Sequence, residues 1–167
     1  NSKAYASKDI IPAWAGLLDA ADAITEQGGT LNAQFQYDLV DLTRQALGDL
    51  SGDVYTKINP AYKADNKDEA LKYAGLMVDL CEKMDAILST NRFFLLGTRL
   101  ADAKARGVTD GDKAYFEKVE RTFMTYWVLD NYDSGKNGGL IDYCNRHLAG
   151  LTTDYYGMRW RAFYNEL

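Results

Sequence analysis

The stretch "DEALKYAGLMVDLCEKMDAIL", Asp68 to Leu88, decides the fold class. Its apolar residues Ala70, Tyr73, Met77, Leu80, Met84 and Ile87 alternate spacings of three and four, with Ala74, Cys81 and Leu88 beside them. A backbone turning once per ~3.6 residues gathers these positions into one stripe, whereas a strand would throw them onto both faces. The spacing predicts a helix with a broad core-facing side.

The same period recurs on either side. "KDIIPAWAGLLDAADAI" opens with Asp9 as a cap and Pro12 near the first turn, giving a helix from about Ile10 to Glu26. "EQGGT" breaks it, and Phe35, Leu39, Leu42, Ala46 and Leu50 then mark a second, longer amphipathic helix. Further along, "FFLLGTRLADAKARG" reads as a helix with Gly107 as its C-cap, and "DGDKAYFEKVERTFMTYW" as another with Phe116, Val119, Phe123 and Trp127 on one face. After a Gly-rich loop the helical pattern resumes through Leu140, Cys144, Leu148, Leu151 and Tyr155, then Trp160 and Phe163, with Gly157 placed to kink or split it. No segment alternates long enough to read as a strand, and no repeat is visible. The expected fold is all-α, a bundle of six or seven helices in a single domain over residues 1–167.

Bulk composition narrows the function classes. A chain of 167 residues with 47% apolar and 26% charged residues and only two prolines can bury a core and is not a disordered tract. The formal charge is -5, with both signs mixed along the chain, so no basic stripe invites a nucleic-acid backbone. No apolar run approaches the ~20 residues of a membrane span, and the opening "NSKAYASKDI" lacks the apolar centre of a signal peptide. Cys81 and Cys144 match no metal spacing and read as buried free thiols.

Little catalytic chemistry is visible. His147 is the single histidine and reads as a packing or surface residue, since no nucleophile elbow accompanies it. There is no metal cluster, phosphate loop or dinucleotide fingerprint, so neither a metal nor a cofactor is expected. "NYDSGKNGG" lacks the regular acidic ligands and closing Glu of a calcium loop, and Asp130, Asp133 and Asp142 read as solvated loop carboxylates rather than a catalytic pair. In "YDLVDLTRQAL" a helix puts Asp41 beside Arg44 and Gln45, with Asp38 one turn earlier. That cluster is open to two readings, a solvated ion-pair face or a hydrogen-bonded network beneath a neighbouring domain.

Five collinear strings are more specific together than any of them alone. They are "AW..LL" at Ala13 to Leu18, "YDLVDLTRQA" at Tyr37 to Ala46, "RFFLLG" at Arg92 to Gly97, "DYCNRHLAGL" at Asp142 to Leu151 and "DYYGMRW" at Asp154 to Trp160. In this order they resemble the C-terminal helical domain of the alpha-N-acetylglucosaminidases, family 89 of the glycoside hydrolases. The resemblance implies an accessory domain packed on a catalytic barrel of the same parent chain. It also implies release of terminal alpha-linked N-acetylglucosamine with retention, by two glutamates in that barrel, so no catalytic residue is expected in this chain.

In the family, a Trp ending one helix, and an apolar residue and a Tyr in a later "DY" string, line the sugar pocket. The resemblance carries these roles to Trp127, Leu140 and Tyr143. Family members follow that Trp with a short loop opening on Gly, whereas residues 128–139 form a longer insertion here. The implied partners are a glycan ending in alpha-linked N-acetylglucosamine, of heparan or mucin type, and the barrel. The implied location is lysosomal or, in bacteria, periplasmic or secreted. Two other classes stand beside this one: a non-catalytic helical interaction module and an independent carbohydrate-binding domain.

Overall fold

The computed structural model describes residues 7–125 and 146–167. Six α-helices are present among them: α1 (Ser7–Glu26), α2 (Ala33–Lys63), α3 (Lys67–Ser89), α4 (Leu96–Lys104), α5 (Asp110–Met124) and α6 (Met158–Glu166). A 3-10 turn, Arg92–Phe94, precedes α4, and a π-helical turn, Thr152–Gly157, runs directly into α6. The all-α expectation holds, and the stretch that predicted it is α3.

α2 and α3 form the frame. Asp65, at φ 54°, ends α2 in the left-handed region, with Asp65 N–H donating to Tyr62 O and Asn66 N–H to Ala61 O. Asn66 then caps α3 by accepting from Glu69 N–H, so the chain reverses within three residues, Ala64 to Asn66. Both helices carry a seven-residue seam: Val40, Leu47, Val54 and Ala61 on α2, and Ala70, Met77, Met84 beside Ala74, Cys81, Leu88 on α3. Seams of equal period stay in register along two antiparallel helices. They enclose one core around Val40, Met84, Leu88, Phe94 and Ala149 and another around Val54, Ile58, Met77 and Leu80.

Several expectations need correction. α1 starts at Ser7, so Asp9 lies in its first turn rather than at its cap, and Pro12 is interior. The Gly28–Gly29 break does stop α1: Gly28 takes φ 74°, and Gly29 N–H closes back on Ile24 O at 2.9 Å. On α2, Leu50 is exposed, because the side packed on α3 follows Val40, Leu47 and Val54. α4 ends at Lys104 with Ala105 as its cap, two residues before Gly107. Gly107 is instead a place of close approach, where a Cβ would stand 2.5 Å from Lys113 N at the start of α5. α5 opens with a capping box between Thr109 and Asp112 and buries Met124 rather than Phe123, which is exposed.

The largest departure is at the end of the chain. Arg146 to Leu148 are not helical, and Ala149 pairs instead with the segment before α4. Ala149 N–H donates to Phe94 O at 2.8 Å and Leu96 N–H to Ala149 O at 3.1 Å, a pairing between remote segments that periodicity cannot show. The helix starts only after Gly150, at φ 86°. Leu151 O then accepts from both Tyr155 and Tyr156, which widens the turn. Gly157 stands where the π turn passes into α6, with a helical backbone, and its missing side chain lets the turn approach α3, a Cβ there lying 3.3 Å from Cys81 Cβ.

Candidate functional site

Trp127, Leu140 and Tyr143 lie outside the described residues, as do the insertion 128–139, Asp130, Asp133, Asp142 and Cys144. The two flanks of that segment are described, and they meet. Met124, the last residue of α5, packs with Leu148 and Leu151 in a buried cluster that Leu96, Tyr155 and Tyr156 complete. The residues leading into the segment and those leading out of it are therefore held against one another.

The outgoing flank is fixed by three elements. The pairing of Ala149 with Phe94 and Leu96 ties it to the start of α4. A carboxylate from α3 does the rest: Asp85 Oδ1 accepts from Gly150 N–H at 2.9 Å and Thr153 N–H at 3.1 Å. Thr153 N–H lies in the first residues of the π turn, where a helix leaves its donors without an intrahelical carbonyl, and Gly150 N–H lies just before it, so an anion there satisfies two donors and complements the helix dipole. Sequence reasoning passed over Asp85, although its position four residues after Cys81 and three before Leu88 puts it on the packed side of α3.

Beside this flank lies a cleft of about 530 Å³ between α4, the end of α5 and the π turn. Leu96, Leu100, Met124 and Leu151 give it an apolar floor, and Arg121, Thr125, Asp154 and Tyr155 give it polar edges. Arg121 is held by Glu117 at 2.7 Å, and the hydrogen bonds from Lys104 and Arg121 keep the Glu117 carboxyl below its ordinary pKa. Donors and acceptors around an apolar floor suit a polyhydroxylated ligand. Asp154 is the only carboxyl group lining the cleft among the described residues, so the paired carboxyls of glycoside hydrolysis are not assembled in it. The described residues contain no cluster of three metal-ligating side chains.

His147 occupies a different place. Its ring lies over Gly48, where a Cβ would come within 3.0 Å of Cε1, so the glycine makes room for it on α2. Nδ1 is buried with no hydrogen-bond partner among the described residues. Burial first, and then the nearby Arg44 guanidinium, pushes its pKa below the ordinary histidine value. The unfolded chain binds the proton more readily, so the stability this site contributes is present above about pH 6.5 and is lost as pH falls toward the folded-state value. The melting temperature should therefore fall between pH 7 and pH 5, and His147→Gln should flatten that dependence. An unchanged profile in thermal denaturation followed by circular dichroism would remove His147 from it.

Cys81 is a buried free thiol, raised above its ordinary pKa by burial and then by Glu82 and Asp85. In the polar cluster of α2, Arg44 pairs within its own helix with Asp41 at 2.6 Å, and Gln34 donates to Asp38 at 2.8 Å. Thr43 bridges helices, accepting from Trp14 Nε1 at 2.9 Å and donating to Leu39 O at 2.7 Å. No described helix is long and apolar enough to cross a membrane.

Comparison with known proteins gives these elements a family. The family model described as "Alpha-N-acetylglucosaminidase (NAGLU) C-terminal domain" matches residues 1–167. The human alpha-N-acetylglucosaminidase is 33% identical over 164 residues, which is 98% of this chain and 20% of that protein. A family 89 glycoside hydrolase from Clostridium perfringens, solved with 2-acetamido-1,2-dideoxynojirmycin, superposes with a TM-score of 0.84 at 28% identity, over 98% of this chain and 18% of that one. A doubly substituted form of the Clostridium enzyme, bound to its substrate GlcNAc-alpha-1,4-galactose, gives 0.83 at 28% identity. The chain thus spans about a fifth of the length of the relatives it matches. These residues form an all-helical member of the alpha-N-acetylglucosaminidase C-terminal domain family, within the family 89 glycoside hydrolases.

Proposed function

We propose that this chain is the helical part of a glycosidase that removes terminal alpha-linked N-acetylglucosamine, and that it supplies one wall of the sugar pocket through Trp127, Leu140 and Tyr143. The observation that carries the reading is its likeness, over 98% of the chain, to an enzyme captured with GlcNAc-alpha-1,4-galactose. The cluster of Met124, Leu148 and Leu151 supports it by fixing both flanks of the segment that holds those three residues.

Retaining hydrolysis needs one carboxyl as acid and base and another as nucleophile, roughly 5 Å apart across the anomeric carbon. Both belong to the barrel of the parent. The helical domain contributes binding: an indole face covers the C–H surface of a sugar or its acetamido methyl, Leu140 extends that apolar wall, and a Tyr hydroxyl exchanges hydrogen bonds with a ring hydroxyl.

The isolated chain should not turn over an aryl alpha-N-acetylglucosaminide, and hydrolysis above blank would place catalytic carboxyls inside it. In the parent enzyme, Trp127→Ala and Tyr143→Phe should each lower kcat/KM roughly tenfold, the worth of about one desolvated contact, with melting temperatures unchanged. Parental kinetics in both variants would remove these residues from the pocket.

A further inference from the structure

A second groove, walled largely by aromatic side chains, is lined by residues other than those of the cleft. This groove of about 760 Å³ runs between the second half of α2 and α6, lined by Tyr55, Ile58, Asn59 and Tyr62 on one side and Tyr156, Arg159, Trp160 and Phe163 on the other. Both sets recur at spacings of three and four, so each helix turns one continuous stripe toward the groove. The rings interlock in a row: Tyr55 and Trp160 at 6.1 Å, Trp160 and Phe163 at 5.9 Å, Phe163 and Tyr62 at 5.6 Å. Trp160 and Phe163 also lean on the Val54, Ile58, Met77 and Leu80 core. Yet Tyr55 is 53% and Tyr62 58% exposed, so a contiguous aromatic patch continuous with the core is left facing water.

We propose that this groove is filled, in the parent polypeptide, by an amphipathic helix from the part of that polypeptide outside these 167 residues, with its apolar face against the aromatic row. The proposal rests on the reading that the chain is one domain of a longer enzyme, and three features favour this occupant. Relatives place this domain in chains about five times its length, so most of the polypeptide available to cover the patch lies outside it. The walls are two helices presenting ridges at helical spacing, the surface onto which a further helix packs in an all-α fold. Finally, the rings meet edge to face or tilted, with interplanar angles of 71°, 85° and 60°, which breaks up the flat platform a sugar ring stacks on.

The test is hydroxyl-radical footprinting of the full-length parent, with oxidation of Tyr55, Tyr62 and Trp160 read by mass spectrometry and referred to the same residues in the urea-unfolded parent. Coverage predicts at least tenfold slower oxidation of Tyr55 and Tyr62 in the folded parent, independent of protein concentration. Oxidation within about threefold of the unfolded rate overturns the proposal. Protection that appears only on adding an oligosaccharide ending in alpha-linked N-acetylglucosamine makes the groove a glycan surface, and protection that grows with protein concentration makes it a contact between copies; both overturn it too. Activity of the same sample on an aryl alpha-N-acetylglucosaminide is scored separately, so an inactive parent with protected tyrosines fails the enzymatic reading and keeps this one.

Discussion

Truncating Leu88 to alanine should lower the unfolding free energy by about 3 kcal/mol, within the range of roughly 2–5 kcal/mol typical of buried leucines. Among the described residues Leu88 is the largest side chain with no accessible surface, and it sits among Val40, Met84, Phe94 and Ala149. Three separate parts of the chain meet on it: α2, the turn before α4 and the paired segment at Ala149. Their mutual restraint prevents collapse into the space left behind, which keeps the cavity cost high. At about 2–4 °C per kcal/mol for a domain of this size, the melting temperature should drop by roughly 6–12 °C. Leu88→Met, which nearly preserves volume, should cost under about 1.5 kcal/mol. Chemical denaturation of both variants decides it, and a loss below about 1 kcal/mol in the alanine variant would show that Leu88 is not the keystone of this core.

Asp85 should come second. Replacing it with alanine leaves Gly150 N–H and Thr153 N–H without their shared acceptor, and bonds to a charged group contribute about 1.5–3 kcal/mol. We expect a loss of about 2–3 kcal/mol for Asp85→Ala and about 1 kcal/mol for Asp85→Asn, which keeps an oxygen acceptor but not the charge that favours a helix N-terminus. Hydrogen exchange localises the effect: the amides of Gly150 and Thr153 should lose protection in the alanine variant ahead of those in the middle of α3. Equal loss across α3 would mean that Asp85 acts on the whole bundle rather than on this turn.

The legible parts of the fold were those governed by local periodicity. α3 could be read almost residue by residue because it packs against α2, the π turn and α6 along its length, so its apolar stripe is wide and unbroken. α2 was read as a helix but with its seam out of phase at Leu50, because Leu39 and Leu42 fit the same spacing as Val40 and Leu47, and only the position of α3 selects between the two sets. The stretch from Arg146 to Gly150 departs from the helix its spacing predicts for a related reason. Its residues have helical spacing, but hydrogen bonds to Phe94 and Leu96, more than fifty residues earlier, determine its conformation. Of the candidate site, the family strings point to Trp127, Leu140 and Tyr143, which lie outside the described residues. The anchoring by Asp85 was not legible, because one aspartate on a helix carries no mark of the remote amides it serves.

The pairing of Leu95 with Ala149 also bears on how much added length this domain can absorb. It makes everything between the two residues, α4 and α5 included, a closed excursion rooted on the α2–α3 frame. Once the ends of such an excursion are joined, doubling its length costs only about 0.6 kcal/mol in closure entropy. Residues can be gained or lost there in the course of evolution, or grafted there deliberately, at little expense to folding.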